Sequence, residues 1–177
     1  MEPIDSALIV AVPEAEPAVA ALRAAYDPAA AWGVPAHVTV LYPFLPPQAI
    51  DAGVLAAVRA AVAPVPAFDV AFARTARFAD PVLWLAPEPD APFRALTAAV
   101  WARFPDTPPY GGRFDDVVPH LTVTDGQPAQ VMDAAAARVR PFLPITARVR
   151  AVRLLAGRPE PDAWRTVAEF PLPAGAA

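Results

Sequence analysis

Two stretches of the chain follow one plan. Residues 8–40 ("LIVAVPEAEPAVAALRAAY…VPAHVTV") and 83–123 ("LWLAPEPDAPFRALTAAVW…VVPHLTV") each begin with an apolar strand and pass through a proline and acidic residues into a helix. A loop, a second proline and a strand opened by H-x-T complete each copy. The second copy is the longer, by a loop insertion around Pro108 to Phe114. A strand–helix–strand unit made twice predicts two similar α/β lobes facing each other. At 177 residues the chain suffices for one domain with a substantial core, and 1–177 is read as that single domain.

The remaining elements follow from periodicity. Residues 7–13 read as a buried strand and 14–26 as an amphipathic helix with acidic residues near its start. A helix is expected from Gln48 to Ala63, strands over 64–78 and 81–87, and a helix over 90–104 capped by Asp90. Pro128 to Arg138 reads as a helix, and 145–172 as two strands joined by a turn through Gly157 to Asp162. Trp84 and Trp101 are expected to fill the core.

His37 and His120 are the only histidines of the chain, and each opens an H-x-T strand. Alternation along a strand puts His37 and Thr39 on one face and Val38 and Val40 on the other, and does the same for His120 and Thr122 against Leu121 and Val123. If the lobes face each other, two imidazoles and two hydroxyls surround one point. That set suits phosphoester chemistry: one neutral imidazole takes a proton from water, the other, protonated, gives one to the leaving oxygen, and the hydroxyls hold nonbridging oxygens.

Other chemistries fit less well. With no cysteine there is no disulfide, thiolate site or cysteine nucleophile. The single serine, Ser6, has no nucleophile-elbow context, no H-E-x-x-H or third ligand accompanies the histidines for a metal, and no P-loop is present. The formal net charge of −4 argues against binding along an extended polyanion and leaves a small nucleotide or an RNA end as partner. Alanine inflates the apolar content of 56%, and no run of apolar residues is long enough to span a bilayer. The N-terminal residues lack the basic region of a signal peptide, so a cytoplasmic protein without membrane association is expected.

The paired H-x-T motifs in a duplicated chain of this length resemble the 2H phosphoesterase superfamily. "GVPAHVTVLYPF" and "VPHLTV" are most similar to its bacterial LigT-like group, known as 2′-5′ RNA ligases or RNA 2′,3′-cyclic phosphodiesterases. The resemblance implies a bilobal α+β fold, with two antiparallel sheets flanked by helices around a central cleft. It further implies metal-independent hydrolysis of cyclic phosphodiesters, or reversible 2′-5′ linkage chemistry, without a cofactor. His37 and His120 become the acid/base pair and Thr39 and Thr122 the phosphate-holding hydroxyls; which histidine is the base stays open.

Tyr42 and Phe44 match an aromatic position after the first motif and are expected to stack on a base. In the inserted loop, Tyr110 and Arg113 are candidates for substrate contact. Asp125 stands where many members carry an arginine, so either it points away or another arginine substitutes; Arg148 and Arg150, on one face of a late strand, are candidates to reach the cleft. Asp115 and Asp116 read as solvated. The expected protein is a monomeric RNA-processing enzyme that opens a 2′,3′-cyclic phosphate on an RNA end or nucleotide. The alternatives are a 2′-5′-linked or ADP-ribose cyclic phosphate substrate, or a non-catalytic nucleotide-binding module.

Overall fold

The computed structural model describes residues 2–79 and 81–175. In chain order the elements are β1 (Asp5–Ala11), α1 (Glu16–Tyr26), the one-turn α2 (Pro28–Ala31), β2 (His37–Leu41), α3 (Ala52–Val62), β3 (Phe68–Arg77), β4 (Leu83–Glu88) and α4 (Ala91–Arg103). They continue with β5 (Leu121–Thr124), α5 (Ala129–Val139), β6 (Ile145–Val149), β7 (Ala151–Gly157) and β8 (Arg165–Pro171). The fold is α+β. Its strands form an eight-stranded sheet in the order β6-β3-β4-β5-β2-β1-β7-β8, antiparallel at every step.

That order reads as two four-stranded halves meeting edge to edge. One half takes β1 and β2 from the start of the chain and β7 and β8 from its end; the other takes β3 to β6 from the middle. The halves join where β2 pairs with β5 at Val38 and Leu121, a single bridge between the two H-x-T strands. Residues 145–157, expected as one strand, are two. Val149 pairs with Phe68 in one half and Ala151 with Pro171 in the other, so the chain changes partners at Arg150, whose carbonyl accepts the Leu172 N–H at 2.8 Å.

Alternation sorts the side chains of each strand between two faces. Val10, Val38, Val40, Leu83, Leu85, Leu121 and Val123 turn toward the helices and enter the main core with Leu22, Phe93, Leu96, Val100 and Val139. Burying each such side chain contributes about 1.5–3 kcal/mol. The packing is crosswise: α1 lies against β5 and α4 against β2, so each helix supports the motif strand of the other copy. Thr97 of α4 reinforces this by donating its hydroxyl to the Val40 carbonyl at 2.7 Å.

On the opposite face Ala7, Ile9 and Leu155 form a smaller cluster with Val34 and Trp164, bordered by Trp32 and Tyr42. Gly157 makes this possible, since a Cβ there would lie 2.5 Å from the Trp164 ring.

Two helix starts differ from expectation. A turn at Pro47–Ala49 delays α3 until Asp51, whose Oδ1 accepts the Val54 N–H at 2.8 Å. Asp90 makes no side-chain cap on α4; its carboxylate instead holds the Arg94 Nε–H at 2.8 Å. Trp101 is 44% exposed rather than in the core, because it lies on the solvent side of α4. No helix among the described residues is long and apolar enough to cross a membrane.

Candidate active site

The single bridge between β2 and β5 sets the geometry of the site. With Val38 opposite Leu121, antiparallel register brings His37 across from Thr122 and Thr39 across from His120. All four side chains then project from the face opposite the main core. Each motif lends its hydroxyl to the neighbourhood of the other motif's imidazole.

The two imidazoles are fixed the same way. Nδ1 of His37 lies 2.7 Å from the Pro35 carbonyl oxygen, and Nδ1 of His120 lies 2.7 Å from that of Val118. A carbonyl only accepts, so in each ring Nδ1 carries the hydrogen and Nε2 is left as the acid or base atom. Rigid approaches hold these carbonyls in place. Before His120, Arg94 donates to the Val117 carbonyl at 3.1 Å and to Asp116 at 2.7 Å, tying the incoming strand to α4. Asp116, read from sequence as solvated, is exposed and also takes part in this ion pair.

Before His37, the buried Arg23 guanidinium donates to the Val34 carbonyl at 3.1 Å and to Asp27 at 2.9 Å. Both histidines are half-buried, and burial makes protonation unfavourable. His37 is pushed down to about 4 by burial, then by the nearby Arg23 charge, with His120 adding to the effect and the Pro35 carbonyl opposing it. Burial also lowers His120, against the Val118 carbonyl. Both rings are thus neutral at pH 7. Asp27 is held above the usual carboxylate value by burial, with Arg23 opposing and Asp125 reinforcing the rise.

Aromatic rings wall the His120 side. Phe78 meets the imidazole edge-on at 4.9 Å and stacks on Trp84 at 4.8 Å, and Trp84 lies 6.0 Å from the imidazole centre. Trp84 is buried as expected, but on the face of the sheet that carries the histidines, opposite Thr122. Tyr110 stacks on His120 at 6.4 Å with 27° between planes, and its backbone N–H donates to the Tyr42 carbonyl at 2.6 Å.

The other residues proposed from sequence divide. Tyr42 packs on Trp164 at 6.4 Å at the rim of the smaller cluster. Phe44 is not at the site: it is buried in the main core with its ring edge-on to Phe104 at 5.0 Å, so no base can stack on it. Arg113 is exposed, with its guanidinium 5.7 Å from the Phe114 ring centre. Asp125 is turned toward α1, its N–H on the Tyr26 carbonyl at 2.8 Å and its charge beside Asp27.

Arg148 pairs with Asp69 at 3.0 Å, and with Arg150 and Arg153 it borders a hollow of about 250 Å³ that also includes Ala11, the strand neighbour of His37. Sequence reasoning missed Arg23 and Phe78. The i,i+4 spacing of Arg23 and Asp27 was the available signal for the first, and nothing local marked the second.

Comparison with known proteins bears on this arrangement. No curated protein matches the sequence. Solved structures do match the fold over nearly the whole chain. E. coli LigT complexed with 3′-AMP aligns over 97% of this chain and 99% of its own, with 15% identity and a TM-score of 0.62. The protein TT0787 of Thermus thermophilus aligns over 98% and 100%, with 18% identity and a TM-score of 0.66. Residues 11–159, both H-x-T strands included, match the family model described as the 2′-5′ RNA ligase superfamily. The chain therefore has the fold of E. coli LigT and belongs to the 2′-5′ RNA ligase superfamily.

Proposed function

We propose that this protein is a phosphoesterase that opens 2′,3′-cyclic phosphates, on an RNA end or a nucleotide, by acid/base catalysis between His37 and His120. The crossed arrangement of two Nε2 atoms and two threonine hydroxyls carries the reading. A phosphate seated among the four groups meets one imidazole on each side and one hydroxyl beside each imidazole. The neutral imidazole takes a proton from water as the water oxygen bonds to phosphorus. The bond from phosphorus to the ribose 2′ or 3′ oxygen breaks, and that oxygen takes its proton from the second imidazole. Thr39 and Thr122 donate to the nonbridging oxygens as charge builds on them.

The acid must be charged at the start of the cycle. Both rings are neutral on their own at pH 7, so the anionic substrate supplies the counter-charge that lets one of them hold a proton. The half-buried, aromatic-walled His120 then has a partner it lacks in the free protein. None of these steps calls for a metal. The two halves are taken in the same reading as copies of one unit in a single domain, each giving one imidazole and one hydroxyl.

E. coli LigT is solved with 3′-AMP and with NADP+, molecules bearing phosphate on the ribose 3′ or 2′ oxygen. The same protein is also solved with ATP and with phosphate, so these complexes support a phosphate-bearing nucleotide as the class of ligand recognised here. The test is a substrate panel with products resolved by ³¹P NMR: nucleoside 2′,3′-cyclic phosphates, a cyclic-phosphate-ended RNA oligomer, a 2′-5′ dinucleotide and an ADP-ribose cyclic phosphate. Turnover of the first two to a single monophosphate isomer is expected, and that isomer names the leaving oxygen. Exclusive turnover of the 2′-5′ dinucleotide, or binding without turnover throughout, overturns the reading.

A further inference from the structure

We infer that Arg153, with Arg150 beside it, forms a second phosphate subsite that makes the substrate an RNA end rather than a free nucleotide, by taking the phosphate one nucleotide away from the cyclic one. The inference rests on the proposed phosphoesterase chemistry and deepens it by naming the substrate class. Strand pairing places Arg153. Ile9 of β1 is opposite Thr39 on one side and opposite Arg153 of β7 on the other, and directly opposed residues share a face of the sheet. Leu155, two residues on, lies with Ile9 in the smaller cluster, on that same face. Arg153 therefore projects on the side of the histidines, two strand spacings or about 10 Å from Thr39 across the sheet.

The space in front of it is open. Arg153 and Arg150 line the hollow of about 250 Å³ whose wall includes Ala11, the strand partner of His37. Ala11 and Ala151 in that wall are small and leave room for a nucleotide. The Arg153 Nε–H donates to Glu169 at 2.7 Å, which fixes the direction of the guanidinium, and the side chain is 41% exposed. Its two terminal nitrogens form a fork suited to two oxygens of one phosphate. Among the described residues Arg150 makes no ion pair, so its charge is available as well.

Charge decides which way the strand leaves the site. The hollow at Arg153 is lined by Arg148, Arg150 and Arg153 against Glu14 and Glu169, so cations prevail. The adjoining hollow of about 590 Å³ has Arg148 against Glu14, Asp69 and Glu88, so anions prevail. A strand of RNA is drawn to the first and repelled from the second. The formal net charge of −4 fits one further phosphate rather than a long tract.

The experiment measures kcat and KM for a cyclic-phosphate-ended dinucleotide and for the matching nucleoside 2′,3′-cyclic phosphate, at about 50 to 200 mM salt. Wild type is compared with Arg153→Gln and Arg150→Gln. Wild type is expected to favour the dinucleotide by about tenfold in kcat/KM. Arg153→Gln is expected to raise KM for the dinucleotide about tenfold with kcat nearly unchanged, and so to erase the preference. The log–log salt dependence for the dinucleotide is expected to flatten by about 0.7, as for one lost phosphate contact. Arg150→Gln removes no ion pair from the β7–β8 pairing and is expected to weaken the preference in the same direction.

A wild type without dinucleotide preference overturns the inference. So does Arg153→Gln with the preference intact, or Arg150→Gln with equal losses on both substrates. If wild type turns over neither substrate, the proposed function fails. Fluorescence anisotropy with a labelled dinucleotide 3′-phosphate and the labelled mononucleotide then decides on the subsite: tighter dinucleotide binding that Arg153→Gln abolishes upholds it, and equal affinities overturn it.

Discussion

At the scale of single residues, the site is two imidazoles whose protonation the fold resists. His37 takes up a proton near 6.5 when unfolded but only at about 4 when folded. Between those values the unfolded chain binds more protons, so stability held above pH 6.5 drains away as pH falls through that window and levels off below about 4. The full shift corresponds to about 3 kcal/mol, an upper bound for a ring in partial contact with water. Urea unfolding of wild type and His37→Gln between pH 4 and 7 measures this; the variant is expected to lose most of the slope, and an unchanged slope places the pH dependence elsewhere.

The histidines and threonines were legible in the sequence because alternation in a strand is local. The fate of Phe44 was not: its neighbour Tyr42 stays at the rim, while Phe44, beyond the end of β2, turns in to meet Phe104 at the end of α4, a contact that no local pattern announces.

At the scale of elements, each motif strand is supported by the helix of the other copy, and α1 brings a buried charge with it. Arg23 holds the Val34 carbonyl, three residues before His37, while Asp27 neutralises it. Removing one partner leaves an uncompensated buried charge, and Asp27→Asn is expected to destabilise by about 3–5 kcal/mol. Arg23→Met with Asp27→Leu removes both charges and should cost less, while raising the His37 titration midpoint because the guanidinium is gone. Unfolding curves and His37 NMR titration check both; a single variant as stable as wild type refutes the pairing.

The helices themselves were readable from 3.6-residue periodicity. Their ends were less so, since Asp90 holds Arg94 where a cap was expected and Pro47 delays α3. The break at Arg150 was invisible because residues 145–157 have uniform strand character, and only the change of partners divides them.

At the scale of the whole molecule, the function proposed here is a property of the join between halves. The repeat of strand, helix and H-x-T strand could be read from the chain, and with it the expectation of two facing lobes. The register of the join could not, because it is set by Val38 and Leu121 from segments far apart in sequence. That register places each hydroxyl beside the other motif's imidazole and leaves both Nε2 atoms open.

The central claim, that the two histidines act as one acid/base unit, is tested most directly by kcat/KM on a nucleoside 2′,3′-cyclic phosphate. Wild type is compared with His37→Ala, His120→Ala and the double variant, with EDTA present. Each single variant is expected to lose about 10²–10⁴-fold, and the double variant little more than either. Single variants that keep most of the activity, or losses that multiply in the double variant, would contradict it.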